Sequence, residues 1–273
     1  MTFLLWIKSD AGKERFVLEA TGLEAAYGKQ KVLHGLSLRI AAGRLTALVG
    51  PNGCGKSTFL RAIMGFVPLT AGQVTLDGKP LPRDRRALAR RIAYLPQEAH
   101  CPDYLTLGEL VELAGFARYA TFAGPTERDR ELFRSALRTV GLIDLAHRPV
   151  NSLSGGQRQR AWIAMVLAQD AEIILMDEPV NHLDMKYQYA TLGLVQRLTR
   201  EHGKTVVAVL HDLNLTAAFA DEVAMLADGR LVAHGPVEHT VTESNIARVF
   251  DLGADVITHA GRRICMPHLK IPA

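Results

Sequence analysis

The stretch Leu45-Thr46-Ala47-Leu48-Val49-Gly50-Pro51-Asn52-Gly53-Cys54-Gly55-Lys56-Ser57-Thr58-Phe59-Leu60 decides how the rest of the sequence is read. A short apolar run suited to a buried strand enters a glycine-rich loop, and a helical stretch from Lys56 to Met64 follows, closed by Gly65. Gly50 to Ser57 fits G-x-x-x-x-G-K-[ST] and has the strand–loop–helix setting that this motif's mechanism requires, which argues against a chance glycine-rich turn. Glycines let backbone N–H groups turn inward around phosphates, and the N-terminus of the following helix adds a favourable dipole. Gly50, Pro51, Asn52, Gly53, Cys54 and Gly55 are therefore expected to form a phosphate cradle. Lys56 is expected at the β and γ phosphates, Ser57 on Mg²⁺ and Thr58 at the α phosphate.

A phosphate cradle of this kind needs a metal-holding carboxylate on a neighbouring strand. Ile173-Ile174-Leu175-Met176-Asp177-Glu178 supplies an apolar run ending in two acids. Asp177 is the candidate for Mg²⁺, through water, and Glu178, one residue further on, for polarising an attacking water as general base. Such a pair is a weak signal alone and a strong one beside the glycine-rich loop. In Leu153-Ser154-Gly155-Gly156-Gln157-Arg158-Gln159-Arg160, Ser154 and Gln157 also satisfy the Ser-x-x-Gln form of a capped helix start. Two bare glycines at a helix N-terminus make a second anion site. One nucleotide does not need two cradles from one chain, so the spare site suggests a partner subunit.

Around these motifs the pattern alternates. Strands are expected between Val17 and Val49 and either side of Asp77-Gly78. Helix-start signals then replace strand signals between Gln97 and Leu153: Thr106-Leu107-Gly108-Glu109 has the form of a capping box, and Thr126 precedes Leu132, Phe133, Leu137 and Val140 at helical spacing. Beyond this block come a helix from about Gly156, a strand Ile173 to Met176, a helix from about Met185, a strand Thr205 to Leu210 and strands flanking Asp228-Gly229. That order predicts an open, mostly parallel sheet with helices on both faces.

The 273 residues are 48% hydrophobic and 22% charged, which excludes an intrinsically disordered chain. The apolar run Phe3 to Ile7 stops at Lys8, far short of the roughly 18 to 20 residues that cross a bilayer, and no signal peptide is expected. Net charge is +4, which suits an anionic ligand without requiring one. Cys54, Cys101 and Cys265 are odd in number and far apart, as in a reducing compartment. The arginines from Arg83 to Arg91 are expected on a solvated helix face, and His259 and His268 lack metal-ligand spacing.

Leu153 to Gln157 is the LSGGQ signature. With the glycine-rich loop and the Asp177-Glu178 strand end, it makes the chain resemble the nucleotide-binding subunit of ATP-binding cassette (ABC) transporters from about Val17 to Phe250. The resemblance implies an α/β fold: a P-loop NTPase core of mostly parallel sheet flanked by helices, an N-terminal antiparallel β subdomain and an inserted α-helical subdomain. It implies ATP and Mg²⁺ as cofactors and a head-to-tail homodimer in which Ser154, Gly155 and Gly156 meet the γ phosphate held by the partner's loop, with Gln157 in the same nucleotide-binding set. By the same resemblance Tyr27 stacks on adenine, Gln97 in Tyr94-Leu95-Pro96-Gln97 senses Mg²⁺ or the attacking water, and Asp184 lies in a loop crossing the dimer interface. His211 contacts the γ phosphate and orients the water, so the implied catalytic set is Glu178, His211 and Gln97, and the metal set Ser57, Gln97 and Asp177. Val180 departs from the family's frequent threonine, at a position with no assigned chemistry.

The implied partners are transmembrane permease subunits and, through them, a periplasmic or lipid-anchored substrate-binding protein, with no nucleic acid. The implied location is peripheral, on the cytoplasmic face of the inner membrane. Leu105 to Ala114 is a candidate wall for the groove that receives the permease, or equally a helix packing within the insertion. Gly50 to Thr58, Arg90 to Gln97, Arg158 to Met165 and Leu210 to Asn214 look like the ATPases of iron–siderophore importers, a group shared with haem and cobalamin uptake. Ferric siderophore is the expected cargo, haem or cobalamin the alternatives. A non-transport ABC ATPase of DNA repair or translation is disfavoured, since neither coiled-coil heptads nor a tandem cassette is present. The expected division is an extension at residues 1–16, one cassette at 17–250 with its helical insertion at about 98–153, and a tail at 251–273 that packs on the core as extra helix and strand.

Overall fold

The computed structural model describes residues 15–119, 124–181 and 183–268. Most of the expected extension at residues 1–16, with the run Phe3 to Ile7, lies outside the described residues, as do His182, residues 120–123 of the helical block and residues 269–273 of the tail. Two long strands, β1 (Phe16–Tyr27) and β2 (Gln30–Ala41), pair antiparallel. They lead into β3 (Leu45–Val49), the glycine-rich loop and α1 (Lys56–Ile63). The strands β4 (Leu69–Leu76) and β5 (Lys79–Pro80) then join the first pair in a sheet ordered β2-β1-β4-β5. The helix α2 (Arg85–Ala89) precedes β6 (Ile92–Leu95). The helical block holds α3 (Leu107–Leu113) and α4 (Glu127–Thr139), and α5 (Gly155–Ala168) returns the chain to β7 (Ile173–Met176). After α6 (Met185–Arg200) come β8 (Thr205–Val209), α7 (Leu213–Phe219), β9 (Glu222–Ala227) and β10 (Arg230–Pro236). The chain continues through α8 (Val237–Thr240), α9 (Glu243–Phe250) and the hairpin β11 (Ala254–His259) and β12 (Arg262–Pro267).

The central sheet runs β10-β9-β3-β8-β7-β6, parallel except where β10 pairs antiparallel with β9. Every residue of β3, β7 and β8 is buried, so these strands read as continuous apolar runs, and the period of two only decides which face each side chain enters. Leu48, Leu175, Val207 and Val209 point into one core with Leu33, Phe59 and Ile63, against the antiparallel sheet and α1. Ala47, Val49, Ile174, Met176, Val206 and Ala208 point into the other, with Ile163, Val166, Leu192 and Val195 of α5 and α6. The layered α/β fold expected from the alternation is the one formed.

Turn chemistry closes the hairpins. Asp77 and Gly78 have φ of 49° and 72°, and Asp228 and Gly229 have 49° and 69°, the paired left-handed conformations of a type I′ turn. Ala260 and Gly261 repeat this at 49° and 75° between β11 and β12, where alanine gives little turn signal and sequence reading found only one strand. In the helical block Thr106 caps α3 with Glu109 reciprocating, and Thr126 caps α4 with Asp129. Leu107, Leu110 and Val111 of α3 are buried, while Leu113 is exposed.

Arg83, Arg85, Arg86 and Arg90 are exposed, as expected of a solvated face, and several of this group also have partners from other elements. The guanidinium of Arg85 sits 5.9 Å above the Phe66 ring and that of Arg86 4.9 Å above Phe116. Arg90 donates to the Ala117 carbonyl at 2.8 Å, and Arg91 bridges Asp77 (2.6 Å) and Glu172 (2.9 Å). These planar cations tie α2 and β6 to the helical block and to the antiparallel sheet, which charge density along the sequence does not reveal. The arginine bridge and a second pairing from Arg15 hold the Asp77 carboxyl below its ordinary range despite partial burial.

Leu175 is fully buried on a central strand, whereas Leu113 is 58% exposed. Leu175→Ala is expected to lower unfolding free energy by about 2–5 kcal/mol, and Leu113→Ala by less than about 0.5 kcal/mol, in denaturant titration followed by circular dichroism.

Candidate nucleotide-binding and catalytic site

The carboxyl ends of β3, β8, β7 and β6 carry the residues singled out by sequence. Parallel pairing aligns Leu48 with Val209, Met176 with Ala208 and Leu95 with Met176, so the segments that leave these strands emerge side by side. The glycine-rich loop leaves β3 at Gly50, whose φ is 152°; a Cβ there would stand 2.1 Å from the Leu226 carbonyl oxygen. Gly229, in the β9–β10 turn, donates its N–H to the Cys54 carbonyl at 3.1 Å, bracing the loop from outside. Gly55, φ 103°, is the N-cap of α1 and offers no side-chain acceptor, so the first N–H groups of the helix are left to point into the loop.

Lys56 is buried, and its ammonium donates to the carbonyls of Gly50 (2.7 Å) and Pro51 (2.8 Å), folded across the loop. Ser57 donates its hydroxyl to Asp177 Oδ1 at 2.7 Å, and Tyr94 donates to Oδ2 at 3.3 Å. Burial pushes the Asp177 carboxyl above its ordinary range, opposed by the Ser57 hydrogen bond and the nearby Arg61 charge. The Tyr94 phenol is pushed up to about 12, by burial first and then by the Asp177 charge. A buried carboxylate of this kind, lying against a hydroxyl, is a donor set that suits a small hard cation such as Mg²⁺.

Glu178 follows Asp177 with φ 55°, left-handed backbone that costs a non-glycine residue of order 1 kcal/mol. The turn brings its carboxylate out of the strand direction and among three donors. Gln97 and Asn181 donate their amides to Oε2, both at 2.8 Å, and His211 Nε2 lies 2.7 Å from Oε1. Asn52, Gly53, Gly55, Lys56, Ser57, Thr58, Glu178 and His211 together line a cleft of about 120 Å³.

The remaining sequence candidates lie elsewhere. Ser154 caps α5, its hydroxyl accepting from the Gln157 N–H at 3.3 Å while Gln157 Oε1 accepts from the Ser154 N–H at 3.0 Å. None of Ser154 to Gln157 lines the cleft of Lys56. Gly155 instead borders a separate cleft of about 250 Å³, opposite Gln97 and beside Arg158, Gln159 and Trp162. Asp184 caps α6, accepting from the Tyr187 N–H at 3.1 Å, and the Tyr187 ring stands 3.1 Å from where a Cβ on Gly156 would be. Tyr27 is 47% exposed at the end of β1 and touches Arg61 rather than the cleft lining.

Sequence reasoning did not single out Asn181, Arg61 or the Tyr94 hydroxyl. Asn181 stands only three residues from Glu178, and a polar side chain so close to a candidate base was a usable signal. Arg61, inside an amphipathic helix, carried none.

The family model described as "ABC transporter" matches residues 33–181. The petrobactin import ATP-binding protein of Bacillus anthracis is 39% identical over 93% of this chain and 94% of its own length. The ferric enterobactin transport ATP-binding protein of Escherichia coli is 40% identical over 92% and 93%. A manganese transport system ATP-binding protein of Listeria innocua is 42% identical over 82% and 92%. Among solved structures, a chain of an inward-facing metal-chelate type ABC transporter superposes with a TM-score of 0.81 at 27% identity, covering 93% of this chain and 98% of that one. A dimeric bacterial ABC transporter cassette superposes with a TM-score of 0.72 at 32% identity, covering 81% and 98%. The chain therefore belongs to the ABC transporter family, as one of its ATPase subunits.

Proposed function

We propose that this subunit hydrolyses MgATP at the cleft of Lys56 and Glu178 to drive import of a ferric siderophore through separate permease subunits. The observation that carries the catalytic half is the Glu178 carboxylate. It stands at the rim of the phosphate cradle, oriented by Gln97 and Asn181 and in contact with His211. In this reading the loop N–H groups and Lys56 bind the β and γ phosphates, with Lys56 exchanging its bonds to Gly50 and Pro51 for phosphate oxygens. Ser57 and Asp177 hold Mg²⁺, which supplies charge neutralisation at the phosphates. Glu178 accepts a proton from the attacking water, and His211 fixes the orientation of that carboxylate and of the γ phosphate. Tyr27 offers its exposed ring to adenine.

Ser154 to Gln157 stand apart from this cleft, so they act on the nucleotide of a second copy in a head-to-tail dimer, with Asp184 at the seam. The chain is then a single cassette that closes on ATP and opens after hydrolysis, when the charged link across the dimer is cut. No helix among the described residues is long and apolar enough to cross a membrane, so the path for cargo belongs to partner permease subunits. The siderophore reading rests on relatives of that kind aligned over 92–93% of the chain; the manganese relative aligns over 82%.

Glu178→Gln keeps the amide-facing geometry and removes the proton acceptor. It is expected to lower phosphate release by about 10²-fold or more while ATP binding persists and a dimer accumulates in sizing chromatography. Brisk turnover would remove Glu178 from the base role. Lys56→Ala is expected instead to weaken ATP binding itself in equilibrium titration. For the cargo, a strain lacking this chain is expected to lose uptake of labelled ferric siderophore and to retain manganese, haem and cobalamin uptake. Loss of manganese uptake in place of siderophore uptake would overturn the cargo assignment.

A further inference from the structure

The hairpin of β11 and β12 is joined to the segment that carries His211 by one side chain. Asn214 Nδ2 donates to the Cys265 carbonyl at 3.2 Å, and Asn214 Oδ1 accepts from the Cys265 N–H at 2.8 Å. Both ends of one amide are spent on the backbone of a single strand residue, as a neighbouring strand would spend its own N–H and C=O. Cys265 pairs with Val256 across the hairpin, and its backbone bonds to Asn214 lie along the other edge of β12. The Cys265 side chain is buried, and β12 packs on α7.

The helix that carries Asn214 is not stable by itself. α7 spans 7 residues, below the length at which isolated helices form. Its start is set by Asp212, which accepts from the N–H groups of Asn214 (2.6 Å) and Leu215 (2.9 Å). Immediately before it, Leu210 makes the last bond to the sheet, donating to the Leu48 carbonyl at 3.1 Å. His211 thus lies in the short span between a fixed strand and a helix whose placement depends on tertiary contacts. Its side chain is 40% exposed and meets Glu178 at 2.7 Å. A two-stranded hairpin is marginal alone, so hairpin and helix stabilise each other's position.

We infer that the C-terminal hairpin is a brace for α7, and that Asn214 is a positioning residue that sets His211 against Glu178. This inference rests on the hydrolytic role proposed for His211. Releasing Asn214 lets α7 shift, the His211–Glu178 contact loosens, and the chemical step slows while the phosphate cradle, built on β3 and α1, is untouched.

The test compares single-turnover ATP hydrolysis and equilibrium ATP binding in the full chain for Asn214→Ala, Asn214→Asp, His211→Ala and the double variant His211→Ala/Asn214→Ala. Asn214→Ala is expected to lower the hydrolysis rate roughly tenfold, with ATP affinity and binding stoichiometry unchanged. Asn214→Asp, which keeps the acceptor for the Cys265 N–H but sets a carboxylate oxygen against the Cys265 carbonyl, is expected to lose at least as much, and it stands in for the alanine variant should that fail to fold. If Asn214 acts through His211, adding Asn214→Ala to His211→Ala produces no further loss. Independent, multiplying losses in the double variant overturn the brace, as does a wild-type rate in both single Asn214 variants alongside an impaired His211→Ala. A wild-type rate in His211→Ala overturns the role of His211 itself, and the brace with it.

Discussion

Parallel pairing of β3, β8, β7 and β6 is the constraint on which the rest of this molecule depends. Hydrogen bonding in register pairs Leu48 with Val209, Ala208 with Met176 and Met176 with Leu95, so the four strands end within one residue of each other and their chain segments leave the sheet at one end. Gly50, His211, Asp177 and Gln97 follow those strand ends by one or two residues. No side chain at the site has to reach far, because the sheet has already placed the backbone. The two cores on either face of the sheet hold that register, since a slip of one residue would send Leu48, Leu175 and Val207 to the wrong face.

On that frame the polar network is divided in two. Asp177 is fully buried and bonded to Ser57 and Tyr94, so burial and hydrogen bonding oppose each other in setting its charge. Glu178, one residue later, turns through left-handed backbone and meets Gln97, Asn181 and His211. Adjacent acids on one strand end thus face different environments, one buried against a hydroxyl and a phenol and the other set among two amides and an imidazole. The C-terminal hairpin, joined through Asn214 to the helix after His211, extends the same network to a part of the chain far from the phosphate loop in sequence.

Local chemistry was the most legible part. The strand–loop–helix around Gly50 to Ser57, the type I′ turns at Asp77-Gly78 and Asp228-Gly229, and the caps at Thr106 and Ser154 each depend on residues within a few positions of one another. The second strand of the C-terminal hairpin was not legible, because its turn is built on Ala260. The exposure of the arginines from Arg83 to Arg90 was legible, but the partners of Arg85, Arg86 and Arg91 were not, because Phe66, Phe116, Asp77 and Glu172 come from other elements.

The sequence by itself determined the α/β alternation, the glycine-rich loop and the kinds of groups available for phosphate, metal and proton, since these follow from composition and spacing over short stretches. Only the tertiary structure decided which groups meet. Gln97, Asn181 and His211 converge on Glu178, while none of Ser154 to Gln157 lines the cleft of Lys56 and Gly155 borders a different one. The contacts of Gln97 and His211 with Glu178 join residues tens of positions apart, and their geometry is set by sheet register and helix packing. A one-dimensional pattern carries neither.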